Sequence, residues 1–104
     1  MLQLEALQTR VELSDRVGTA ECLENLAGLR VLESEGLEAA RLFGAAEVLR
    51  ESAGSHVPQG SRERVAQDVA AARMLLGSED FVAALREGRA APSVAGVPLR
   101  LPET

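Results

Sequence analysis

A chain of 104 residues with a net charge of −5, two Phe, no Trp and no Tyr is one domain by size, with a modest core and a small stability margin. Its interior must be built from Leu, Val and Ala, which favours closely packed helices because small side chains let helix axes approach. The charge is uneven, with ten acids against five Arg over residues 1–54 and six of each over 55–104. That front half repels phosphate, and no basic stripe interleaved with aromatic residues offers a nucleic-acid surface.

The first predicted helix spans roughly residues 2–12, where Leu4, Leu7 and Val11 recur at helical spacing. Ser14 or Asp15 can cap a second helix that runs to about Ser34 and is stopped by Gly36. Leu23, Leu26, Ala27, Leu29, Val31 and Leu32 cover more than half of its circumference, which makes it the expected central helix. The stretch "GLEAARLFGAAEVLRESAG" holds the third helix, about residues 37–53, with Ala39, Leu42, Phe43, Ala46, Leu49 and Ala53 on one face and Glu38, Arg41, Arg50 and Glu51 on the other. Its narrower stripe places it outside, antiparallel to the second helix across a short turn.

"GSHVPQGS" is the clear loop, because Gly54, Pro58 and Gly60 resist helix continuation. Ser61 can cap a fourth helix to about Leu76, with Val65, Val69, Ala72 and Leu76 inward. Gly77 ends it, and Ser78 can cap a fifth helix over about 79–89 that buries Phe81, Ala84 and Leu85, with Glu79 and Asp80 complementing its positive end. Pro92, Pro98 and Pro102 make an extended tail. No alternating β-branched or aromatic run argues for a sheet. The organisation expected is a helical domain over 1–91 and a Pro-rich tail over 92–104.

No constellation of catalytic or metal-binding type emerges. His56 beside Ser55 lacks an orienting acid and an oxyanion site, so it reads as an exposed loop histidine. The start of the fourth helix, with Arg62 and Arg64, could hold an anion, but the lysine of a phosphate loop is missing. Cys22 is the single cysteine, which excludes an intramolecular disulfide and a Cys-based zinc site and fits a reducing cytoplasm; it reads as a small buried hydrophobe. The N-terminus has no charged start with an apolar run, and nowhere do eighteen apolar residues follow one another, so neither export nor a membrane span is expected.

The order and separation of Leu23, Leu26, Ala27, Ala39, Phe43 and Ala46 resemble a tetratricopeptide repeat, two helices over about 34 residues with small residues where they cross. Arg30 stands where that repeat usually has a large aromatic residue, and Glu51 where it often has proline. The resemblance implies that Ala39 and Ala46 are small because a partner helix lies against them, with Phe43 as the knob between. Over residues 8–91, the run "DRVGTAECLENLAGLRVLESEGLEAARLFGAAEVLRESAG" and the later "LLGSEDFVAALREGRA" are similar to the C-terminal helical-repeat end of large bacterial MalT/LuxR-type ATPase transcriptional regulators. No residue here matches their ATPase loop or DNA-binding helices. The reading is therefore an all-α, tetratricopeptide-like right-handed array of about five helices. It is expected to serve as a cytoplasmic, non-catalytic protein-interaction or regulatory module without a cofactor; the alternative is a small-molecule or peptide effector sensor. Its partners would be another protein or the parent regulator's own domains, with no direct contact to nucleic acid or membrane. Because a single repeat cannot bury its apolar face alone, a homodimer is expected through Leu4, Leu7 and Val11.

Overall fold

In the computed structural model, residues 16–94 and 97–99 are described. They form four helices, α1 (Arg16–Leu32), α2 (Gly36–Ala53), α3 (Gln59–Leu76) and α4 (Ser78–Ala90), followed by β1 (Ser93–Val94) and β2 (Val97–Pro98). The first predicted helix, its proposed interface residues Leu4, Leu7 and Val11, and the caps Ser14 and Asp15 lie outside the described residues.

The connections explain why the helices end where they do. After α1, Ser34 adopts the left-handed region at φ 59. Ser34 N–H then donates to Val31 O at 2.9 Å and Glu35 N–H to Arg30 O at 2.8 Å, satisfying carbonyls at the helix end. The helix thus ends at Leu32 through Ser34, and Gly36 opens the next helix instead of stopping this one. A Cβ on Gly36 would lie 2.9 Å from Leu75 Cβ, so glycine is there to let the end of α3 approach. Gly54 at φ 64 closes α2 in the same way, with Ser55 N–H donating to Arg50 O at 2.9 Å. A single residue, Gly77 at φ 87 and ψ 152, joins α3 to α4 in a region that essentially only glycine occupies.

Neither Ser61 nor Ser78 caps a helix. Pro58, with φ −57 and ψ 145, leads the chain into α3 at Gln59, so Ser61 already lies in the first turn. Likewise α4 begins at Ser78, with Gly77 in the capping position and no side-chain cap. Glu79 and Asp80 do occupy its first turn.

The core also differs from the expectation in which helix is central. It is α2, which packs on α1, α3, α4 and β1. Ala39, Ala40, Leu42, Phe43, Gly44, Ala45, Ala46, Leu49 and Arg50 are all buried there. On α1, Leu23, Leu26 and Ala27 are buried, but Leu29 and Leu32 are exposed. The reason is size: an alanine or glycine between two backbones is covered completely, whereas leucines past the contact zone stay in solvent. Ala53 of the expected buried face is exposed as well. Phe81, Leu23, Leu42 and Leu49 are the largest fully buried apolar side chains, each stabilising the fold by about 1.5–3 kcal/mol through transfer from water. On α3 only Ala72 is buried, with Val65, Val69 and Leu76 half-buried against the core.

α1 and α2 form a hairpin across residues 33–35. Gly28 meets Asp68 and Asn25 meets Arg64, so α3 runs alongside α1 in the same direction. α3 and α4 share little, apart from the Arg73 guanidinium 4.9 Å from the Phe81 ring centroid. α4 packs chiefly on α2. A Cβ on Gly88 would fall 2.7 Å from the carbonyl carbon of Arg41, and one on Gly44 3.0 Å from Arg89 N. Two helix backbones therefore touch at reciprocal glycines. Arg89 then bridges Glu47 and Glu51, and Arg41 meets Glu87.

After α4 the chain doubles back on itself. β1 and β2 pair antiparallel, with Ser93 opposite Pro98 and Val94 opposite Val97. This short pair was not legible in the sequence. Leu99 N–H donates to Pro92 O at 2.9 Å, and Val94 and Leu99 join the same buried cluster as the helices.

Candidate functional site

Among the described residues, a buried ion pair lies where the C-terminal end of α2 meets the loop at 54–58. Gly54 reverses the chain there, which returns Ser55 and His56 to the side chain of Arg50. Arg50 Nε donates to Glu24 Oε2 at 2.7 Å and Nη2 to Oε1 at 2.8 Å, a bidentate pair between α2 and α1. Arg50 Nη1 donates to Ser55 Oγ at 3.2 Å and to His56 O at 3.1 Å. Both charged side chains are only 6% exposed. The carboxylate bonded to it holds the Arg50 guanidinium in its charged form and raises its pKa, outweighing the opposing effect of burial. The sequence reading set Arg50 on the outward face of its helix, and the structure corrects this. Its partner stands 26 residues away on another helix, and no local spacing reveals such a pair.

Beside this clamp, a cleft of about 370 Å³ opens between α2, the loop and α3. Phe43, Ala46, Val57, Val65 and Val69 supply apolar lining, and Glu24, Glu47, Arg50, Glu51, Ser55 and His56 supply the polar groups. A second cavity of about 160 Å³ shares Glu24 and Arg50 with it and is otherwise lined by Glu21, Asn25, Pro58, Ser61 and Arg64. At the rim of the larger cleft, Glu47 and Glu51 are about half exposed and receive Arg89 from α4 at 2.9 and 2.7 Å. The bonds from Arg89 lower the Glu51 pKa and raise that of Arg89.

The six residues expected to pack as a repeat, Leu23, Leu26, Ala27, Ala39, Phe43 and Ala46, are all buried, and Phe43 and Ala46 also border the cleft. His56 is exposed, and it contributes its carbonyl to the clamp. Ser55 Oγ is held by Arg50. Arg62 and Arg64, proposed for an anion, are occupied: Arg62 Nε donates to Val57 O at 3.0 Å and Arg64 Nη2 to Asn25 Oδ1 at 3.1 Å. Cys22 is half-buried against the core. Among the described residues no cluster of three or more His, Cys, Asp or Glu is arranged to hold a metal, and no helix is long and apolar enough to cross a membrane.

The end of the molecule where Gly36 touches Leu75 is different in kind. Leu29, Leu32, Leu37, Met74 and Leu75 are exposed there, Leu32 by 82% and Met74 by 85%. No family model, no curated protein and no solved structure matches this chain.

Proposed function

We propose that the chain is a non-catalytic protein-interaction or regulatory module, built as a tetratricopeptide-like right-handed helical array and resembling the C-terminal end of bacterial MalT/LuxR-type regulators. The observation that carries this reading is the apolar end: four of the large hydrophobic residues left exposed, Leu32, Leu37, Met74 and Leu75, lie at or within four positions of the Gly36–Leu75 contact. Leucine and methionine gathered in this way mark a docking surface, because each one loses free energy by standing in water. The hairpin of α1 and α2, with α3 laid alongside α1, supports the array. A cytoplasmic homodimer paired through Leu4, Leu7 and Val11 completes the reading.

The test places a benzophenone-bearing residue at position 32 or 74 of the full-length protein in its native cells, with position 63 as control. Irradiation is expected to give a discrete heavier adduct from 32 and 74 and none from 63. No adduct at any position, or equal labelling at 63, would overturn the proposal. Sedimentation at several concentrations examines the dimer separately, with dissociation expected on Leu4→Glu and Leu7→Glu.

A second reading, an effector-sensing domain, is favoured by the cleft. Its polar and apolar groups converge between helices in the manner of small ligand pockets, and its volume is at the lower end of their range.

A further inference from the structure

We propose that the cleft between α2, the 54–58 loop and α3 is a binding site for a guanidinium or alkylammonium group carried on an apolar stem. The inference rests on the effector-sensing reading and names the chemistry of its ligand.

The electrostatics select the sign of the charge. The Glu24–Arg50 pair is internally neutral, and four of the five N–H groups of Arg50 donate to Glu24, Ser55 and His56. Among the described residues lining the cleft, Arg50 is the one permanent cation, and Glu24 matches its charge. At the rim, among the described residues, two carboxylates, Glu47 and Glu51, share one guanidinium, Arg89, an excess of one negative charge. Arg89 is absent from the lining of the cleft; it contacts the two carboxylates from the α4 side and offsets one of their two charges. The same contact shows which cation geometry the two carboxylates accept. Arg89 Nη1 donates to Glu47 Oε1 and Glu51 Oε2 at 2.9 Å, and Nη2 donates to Glu51 Oε1 at 2.7 Å, so the pair already grips one planar fork.

The volume and floor select the stem. Phe43, Val65 and Val69 supply apolar lining to the same cleft as the carboxylates, and a cavity of about 370 Å³ takes a side-chain-sized group. A chain of four to six methylenes would cover that lining while its charged head stays at the half-exposed rim, as long basic side chains do on protein surfaces. Such a head and stem are found in an arginine or lysine side chain of a peptide and in a free alkyl amine.

The experiment uses the full-length protein labelled with ¹⁵N and titrated with n-hexylguanidinium, n-hexanol, hexanoate and the peptide acetyl-Leu-Arg-Leu-amide. The guanidinium is expected to shift the amides of Ser55, His56, Val65 and Val69 with a dissociation constant on the order of 1 mM. Hexanol and hexanoate should bind at least about tenfold more weakly, since the first has no charge to pair with the carboxylates and the second has the wrong sign. Tighter binding by the peptide assigns the source to a protein side chain, and tighter binding by the free cation assigns it to a small amine; both support the proposal. Glu47→Gln with Glu51→Gln should abolish the preference for the cation. Arg89→Ala should strengthen cation binding several-fold by releasing the carboxylates, an effect that loss of structure would not produce. Equal binding of hexanol or hexanoate would overturn the ligand class while leaving a ligand site. No shift with any probe would overturn the site itself.

Discussion

The two faces of α2 are built on opposite principles. Toward α4, Gly44 and Gly88 bring backbone against backbone, and a single added methyl group has nowhere to go. Toward α3, Phe43 and Ala46 face half-buried valines across a cleft held open by the 54–58 loop and its Arg50 clamp. The same helix therefore has one sealed side and one receptive side. The difference teaches that small residues do not by themselves close an interface: they do so only where the opposing helix is also small at the crossing point. On the receptive side the opposing positions are Val65 and Val69, and a loop shapes the remaining space.

The largest effect expected from breaking this arrangement lies at the clamp on the receptive side. Glu24→Leu strands Arg50 in the interior without its counter-ion and should cost about 3–5 kcal/mol in a denaturant melt, whereas Glu24→Leu with Arg50→Met should recover most of that loss. The double variant should still free the loop, because Ser55 Oγ and His56 O lose their donor. Faster amide exchange confined to the loop region would show this.

A smaller effect of opposite sign is expected at the turn between α1 and α2. Ser34 and Gly54 end successive helices through the same pair of backbone bonds, but only Ser34 has a side chain in the left-handed region. Ser34→Gly should stabilise the chain by about 1 kcal/mol, read as a shift in the denaturation midpoint.

The smallest effect concerns the sealed side. Because Arg89 lowers the Glu51 pKa, the bond contributes stability that is present above the unfolded carboxylate range and is lost as pH falls through the lower, folded value. Acid titration of the melting temperature should therefore flatten slightly in Glu51→Gln. The group is exposed, so the change should be modest and should shrink further in salt.

Much of the helical layout was legible in the sequence, because glycines and prolines punctuate it. Gly54, Pro58 and Gly77 stand at the ends they were expected to mark, and Leu23, Leu26, Phe43 and Ala72 face inward as their spacing suggested. The choice of central helix was not legible. Counting leucines favoured residues 16–34, yet burial follows contact between backbones, and that contact is greatest along the Gly- and Ala-rich 36–53. The signal was present in Gly44 and Gly88, isolated glycines inside helical patterns, where a packing reason is the usual explanation for the cost they carry. The candidate site was largely hidden. Arg50 reads as a surface charge until Glu24 is brought to it, and the cleft depends on how a five-residue loop folds back. Val94 and Leu99 were hidden for a related reason: a proline-rich end reads as extended, and only the pairing of Ser93–Val94 with Val97–Pro98 returns those two side chains to the core.

The contrast between the two faces of α2 is tested most directly by denaturing Gly88→Ala and Val69→Phe side by side. Helix propensity alone would make Gly88→Ala stabilising by about 1 kcal/mol. The sealed crossing instead makes it destabilising by about 3 kcal/mol, since a Cβ there meets the Arg41 backbone. Val69→Phe adds far more volume, but the cleft receives it, and the expected change is under about 1 kcal/mol. A neutral or stabilising Gly88→Ala, or a Val69→Phe that costs more than Gly88→Ala, would contradict the account.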